Sequence, residues 1–110
     1  MLDWLAEIGR RDRRIVAKCW ARLDMLAEFG EKLRRPVADY LRDGIHELRL
    51  EYGGVNYRIL YFFAGKTCVA VSHGLTKKNR VPEREIDVAV ARKRSFETDP
   101  ARFSYERENK

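Results

Sequence analysis

Apolar residues recur along this chain first at helical spacing and then in strand-like runs. Leu2, Leu5 and Ile8 form a short stripe that predicts a first helix, with Gly9 as its stop. From about Arg11 to Phe29 the stripe is longer. Ile15, Cys19, Leu23 and Leu26 share one face, Val16 and Trp20 flank it, and Gly30 ends it. Pro36 breaks the pattern, and "PVADYLRDG" reads as a short helical or coiled connector ending in a turn at Asp43-Gly44. Three strand-like segments follow, "IHELRLEY", "VNYRILYFF" and "KTCVAVSH". Gly53-Gly54 between the first two predicts a tight hairpin, and Ala64-Gly65 lies between the second and third. Pro82 then opens a final helix, where its missing N–H costs nothing. Glu83 and Glu85 in its first turn and Arg92, Lys93 and Arg94 near its end suit the helix dipole, while Ile86, Ala89 and Val90 face the sheet. The remainder, within "SFETDPARFSYERENK", is polar with scattered aromatics, the composition of a loosely ordered tail.

The predicted fold is therefore α+β: two N-terminal helices, an antiparallel three-stranded meander and a C-terminal helix, with the helices segregated against a small sheet. A chain of 110 residues suits one core, expected over residues 1–96, with 97–110 as the tail. Hydrophobic residues at 45% argue for a folded globule rather than disorder. Cys19 and Cys68 lie among apolar residues without metal-ligand spacing, which predicts buried thiols. No apolar run approaches the roughly 20 residues that span a bilayer. No charged region precedes an apolar core at the N-terminus, so neither a membrane partner nor a secretory signal is expected, and the cytoplasm is the default.

Charge changes the picture. The net charge is +6, which favours an anionic partner: nucleic acid, an anionic membrane or an acidic protein. Arg10, Arg11, Arg13, Arg14, Lys18 and Arg22 occupy the outer face of the second helical stretch, either as a solvated face or as a surface for a partner or phosphate. If Gly53-Gly54 is a two-residue loop, Tyr52 opposes Val55, Leu50 opposes Tyr57, Arg49 opposes Arg58 and Leu48 opposes Ile59. Leu48, Leu50, Tyr57, Ile59 and Tyr61 then form an apolar floor for the helices. Arg49 and Arg58 point together to the other, helix-free face. Like charges in register repel. Either Glu47 or Glu51, on the same face, relieves them, or the two guanidiniums are held for a phosphate, whose oxygens match the planar fork of arginine.

The run "HGLTKKNRVPEREI" adds His73 at the end of the last strand, with Lys77, Lys78 and Arg80 behind it. It is either a solvated turn or one rim of a polyanion site shared with Arg49 and Arg58. A strand-end histidine is commonly a packed residue, and His73 is the lower-ranked candidate acid or base. The sequence carries no Gly-rich phosphate loop, no CxxC pair, no HExxH motif and no nucleophile elbow. No metal site and no cofactor is expected, which leaves a cation-rich site. Such a site can cleave RNA, because RNA carries its own nucleophile, the 2′-hydroxyl.

The motifs "DGIHELR", "YRILYFF", "HGLTKK" and "PEREI", in this order and with "RLDMLAEFG" upstream, resemble the RelE/HigB-type toxins of bacterial toxin–antitoxin systems, in particular the phage-derived host-inhibition-like branch. The resemblance covers roughly residues 2 to 94. It implies a compact α+β microdomain, ribosome-dependent cleavage of mRNA, and a cognate helix-turn-helix antitoxin that blocks the site. It matches Arg58 to the family's phosphate-stabilising arginine, Arg49 to a basic position on the neighbouring strand, and Lys77 and Lys78 to a basic pair after the last strand. A non-catalytic basic module for RNA or for a phage or host protein is the alternative. The chain departs from the family's pattern in opening at "MLDWLAEIG" without a preceding strand, which predicts an exposed sheet edge open to homodimer pairing. The loop "KKNRVP" is one residue shorter than the pattern. The last helix has no tyrosine for stacking on a base, a role that Phe96 or Tyr105 would have to take.

Overall fold

The computed structural model describes residues 2–64, 68–76 and 80–98. Two helices, α1 (Leu2–Arg11) and α2 (Arg13–Phe29), precede the strands β1 (Ala38–Arg42), β2 (Ile45–Tyr52), β3 (Val55–Ala64) and β4 (Cys68–Thr76), and α3 (Glu83–Thr98) follows. The strands form one antiparallel sheet in the order β1-β2-β3-β4. The α+β class is as the sequence predicts, with a strand more than the expected meander.

The extra strand is β1, which corrects the reading of "PVADYLRDG" as a connector. Asp43 and Gly44 both take positive φ, 53° and 82°, and their two-residue turn folds β1 back onto β2. The Gly53-Gly54 turn behaves likewise, with φ of 61° and 79°. That geometry matches the right-handed twist of the flanking strands. It fixes the expected register: Tyr52 opposite Val55, Leu50 opposite Tyr57, Arg49 opposite Arg58 and Leu48 opposite Ile59.

Helices cover both faces of the sheet. Leu48, Leu50, Tyr57, Ile59 and Tyr61 form the expected floor beneath α1 and α2, packed against Leu5, Ile8, Ile15, Cys19 and Leu26. On the opposite face Ile45, Leu60, Phe62 and Leu75 meet Ile86 and Ala89 of α3. The face expected to be free of helices is therefore the face that α3 packs on. Phe96 lies at the far end of this contact, its ring centroid 5.9 Å from that of Phe62, so it packs in the core instead of standing free to stack on a base. Tyr105 lies outside the described residues.

The helix boundaries follow local chemistry. Gly9 does not end α1, which runs on to Arg11. Asp12 makes the break by accepting a hydrogen bond from the Arg14 N–H as the cap of α2. Gly30 closes α2 as expected. Cys19 is a buried free thiol, and burial pushes its pKa up to about 11. The side chain of Cys68 lies outside the described part.

At the end of β4, the Trp4 ring of α1 lies directly on Gly74, and its indole N–H donates to Thr76 Oγ1 at 3.3 Å. A Cβ at Gly74 would fall 2.2 Å from Trp4 Cε3. Gly74→Ala is therefore expected to cost about 1–3 kcal/mol by overpacking, read as a lower urea midpoint. A variant as stable as the parent would contradict this contact between α1 and β4.

Candidate functional site

Arg58 of β3 and Arg49 of β2 stand opposite each other on the face that α3 shares. Two residues along β2 on the same face is Glu47. Arg58 is 6% exposed and Glu47 3%, and Arg58 Nη1 donates to Glu47 Oε1 at 2.6 Å. Arg49 Nε lies 3.6 Å from Glu47 Oε2, with its side chain 37% exposed. One buried carboxylate thus sits between two guanidiniums and offsets the repulsion that the register imposes. Of the two acids that could have done this, Glu47 forms these contacts.

The arrangement leaves a directional asymmetry. Arg58 Nε is buried and has no hydrogen-bond partner among the described residues. Buried donors are nearly always satisfied, so this one stands out, and because it is closed off from solvent an acceptor reaches it only if the side chains around it shift. Arg49 and Arg58 also line a hollow of about 310 Å³ together with Arg22 of α2, Glu51, Asn56 and Tyr57. Arg22 reaches it because β1 pairs with β2 only as far as Leu48, so no strand lies beyond residues 50–52. Three arginines against Glu51 make the lining cationic, the kind of wall that draws in a phosphate. Arg22 is the site residue that sequence reasoning missed. Its helical position marked it as basic and outward, but its approach to the sheet depends on tertiary packing.

His73 is on the same face but is not among the residues lining the hollow. The pairing of β3 with β4 shifts between Leu60 and Tyr61, opposite His73 and Val71, so Ser72 is an extra residue in β4. The bulge turns His73 toward α3. Its Nδ1 lies 2.7 Å from Ser72 Oγ and its Nε2 3.0 Å from Glu85 Oε1. Arg92 Nη1 donates to the Ser72 carbonyl at 2.7 Å, and its 3.3 Å contact donates to Ser72 Oγ. The chain of donors assigns the tautomer: Ser72 O–H to Nδ1, and Nε2–H to Glu85. This relay ties α3 to the bulged edge strand.

Burial pushes the pKa of His73 below its ordinary value, against the opposing pull of Glu85, and burial does the same to His46. In both cases the folded state binds a proton less readily than the unfolded chain. Stability is then fully present above the unfolded pKa of about 6.5 and declines as pH falls below it, until the folded pKa values are passed. The slope contributed by each histidine is at most about 1.4 kcal/mol per pH unit. Urea unfolding at about pH 7.5 and about pH 5.5 should show the loss, and His73→Gln should flatten it. An unchanged pH slope in the variant would contradict a buried neutral His73.

Lys77 and Lys78 lie outside the described residues. Arg80, just after them, is exposed. The acids of α3 next to this run have partners elsewhere. Glu83 and Asp87 accept from Arg42 Nε and Nη2 at 2.9 and 2.6 Å, and Glu85 holds His73. Among the described residues no cluster of three or more His, Cys, Asp or Glu could hold a metal ion, and no helix is long and apolar enough to cross a membrane.

Comparison with curated proteins and with solved structures finds no significant match. The family model of phage-derived Gp49-like proteins matches residues 4–94, which take in most of α1, all of α2, the four described strands and most of α3. The chain belongs to the phage-derived Gp49-like protein family, a family associated with the toxins of toxin–antitoxin systems.

Proposed function

We propose that this protein is a RelE/HigB-type toxin that cleaves mRNA on the ribosome and so stops translation, and that a helix-turn-helix antitoxin holds it silent. The observation that carries this reading is the arginine hollow. A buried, rigidly paired Arg58 keeps one donor unsatisfied beside the more exposed Arg49 and Arg22. In the reaction, the RNA 2′-oxygen attacks the adjacent phosphorus and gives its proton to a base. The O2′–P bond forms, the P–O5′ bond breaks, and an acid protonates the leaving 5′-oxygen, which leaves a 2′,3′-cyclic phosphate. Arg58 and Arg49 donate to the non-bridging oxygens as charge builds in the pentavalent transition state. Lys77 and Lys78 steer RNA and support proton transfer, helped by neighbouring cations that lower a lysine pKa. His73 ranks below them, because both its ring nitrogens are already engaged by Ser72 and Glu85.

The test is translation of a defined mRNA in vitro with the purified protein, read by primer extension. Cleavage that depends on ribosomes supports the reading, and intact mRNA in the presence of folded protein overturns it. The second reading, a non-catalytic basic binder, draws on Glu47, whose charge offsets much of the pair's. It expects stoichiometric, salt-sensitive binding with no strand break. In either case Lys77→Ala with Lys78→Ala should weaken RNA or ribosome binding. Each lost phosphate contact should reduce the slope of log affinity against log salt by about 0.7–0.9. A double variant with the parental slope would remove both lysines from the RNA path.

A further inference from the structure

On the α1/α2 face of the sheet, α2 ends at Phe29 while the strands continue, and the strip beyond it carries a cluster of rings. His46 stacks on Tyr61, with centroids 5.2 Å apart and planes at 18°, and meets Tyr40 and Phe63 edge-on at 5.1 Å each. Beside them opens a cavity of about 600 Å³, roughly twice the arginine hollow. Its size is within the range of about 300–1,000 Å³ common for small-ligand sites.

Two features set this cavity apart from ordinary core. Tyr40 is 56% exposed, yet its ring is fixed, because its hydroxyl oxygen accepts the Gly44 N–H at 3.0 Å. An aromatic face held open to solvent costs little further ordering when something stacks on it. The rim also carries both donors and an acceptor. Arg34 bonds the carbonyls of Glu31 and Leu33 through Nη1 alone, so its orientation is set and Nε and Nη2 have no partner among the described residues. Glu31 lines the same rim with its carboxylate near enough to act on His46, while Asp39 is taken up by Arg35 at 2.9 Å. A bare anion would call for cations alone, and an apolar side chain for neither charge. A nucleobase has a flat π-face and an edge with both donors and acceptors, and it fits this combination.

We infer that the Tyr40–His46–Phe63 cavity, on the α1/α2 face of the sheet, is a second nucleotide site, which takes an unpaired nucleobase by stacking on Tyr40 with Arg34 and Glu31 at its edge. The inference does not rest on RNA cleavage and stands whether or not the arginine hollow is catalytic.

GMP is the probe, with ribose 5-phosphate and inorganic phosphate as controls, followed by NMR at the His46 and Tyr61 ring protons. The titration is made in the Arg49→Ala protein as well as the parent, so that occupancy of the arginine hollow is separated from this site. Saturable shifts at His46 with GMP in both proteins, and none with ribose 5-phosphate, are the expected result. Tyr40→Ala should weaken binding about ten-fold, in line with the loss of one stacked base, while Tyr40→Phe, which keeps the ring, should stay within about two-fold of the parent. The inference is overturned if about 10 mM GMP leaves His46 unmoved, which would mean affinity too weak for a site. It is equally overturned if ribose 5-phosphate binds as well as GMP, if the shifts vanish in Arg49→Ala, or if a folded Tyr40→Ala protein binds like the parent.

Discussion

Arg58→Ala should lower stability by about 3–5 kcal/mol, because it leaves the Glu47 carboxylate buried without its partner. The two groups are 6% and 3% exposed and 2.6 Å apart, so little water can enter to solvate the orphaned charge. Arg49, at 3.6 Å from the other carboxylate oxygen, compensates only in part. Replacing both partners should behave differently. In Glu47→Leu with Arg58→Met, no charge remains buried, and such swaps are commonly neutral or stabilising. The expected coupling between the two sites is therefore large, and urea melts of the parent, both single variants and the double variant would measure it. A double variant as unstable as Arg58→Ala alone would mean that the cost lies in packing rather than in the orphaned charge.

This changes how loss of function at Arg58 should be read. From the sequence alone, Arg58 sits on an open face and its removal should cost little. With α3 packed over that face, an inactive Arg58→Ala protein could simply be unfolded. The double variant, if folded, lacks the Arg58 guanidinium and leaves no buried charge behind. Loss of toxicity in that protein would speak for catalysis, while retained toxicity would make Arg58 structural.

The part of this arrangement that was legible in the sequence was the part fixed by short-range rules. A two-residue glycine turn allows one register, and the strand period of two then assigns Arg49 and Arg58 to one face. The same turn logic applied to Asp43-Gly44 would have found β1, because an Asp-Gly pair between two strand-like runs is itself a hairpin signal. Helical cover on both faces was also signalled. Ile59 to Phe63 is an unbroken apolar run, and strands buried on both faces read that way. His73 was beyond reach, because one extra residue at Ser72 decides its face. Without the bulge, His73 would have opposed Ile59 under α1 and α2 instead of Leu60 under α3. Nothing in "AVSHGLT" announces an inserted residue, and the α3 donor that meets the Ser72 carbonyl, Arg92, is remote from it in sequence. Arg22 was equally out of reach, because its approach follows from where β1 stops.

Arg49→Ala is the variant that isolates chemistry from stability, and its expected effect on function is the larger of the two. The side chain is 37% exposed, and its ion pair with Glu47 is long, at 3.6 Å. Glu47 keeps Arg58 as its close partner after the substitution, so no buried charge is orphaned. The stability change should stay within about 1 kcal/mol, as for other partly exposed positions without special backbone geometry. Function should respond far more strongly. A donor that meets charge developing on the phosphate oxygens is worth about 10²–10³ in rate when removed from a preorganised site. Cleavage of mRNA in translation extracts should fall by that order, and cells expressing the variant should grow where the parent arrests them. Arg49→Lys should recover only part, since an ammonium keeps the charge but not the planar fork that spans two oxygens. Equal cleavage by parent and Arg49→Ala would show that the pair facing each other across β2 and β3 does not hold the scissile phosphate. The arginines would then be left to binding alone, with the salt slope of ribosome association as the quantity that still changes.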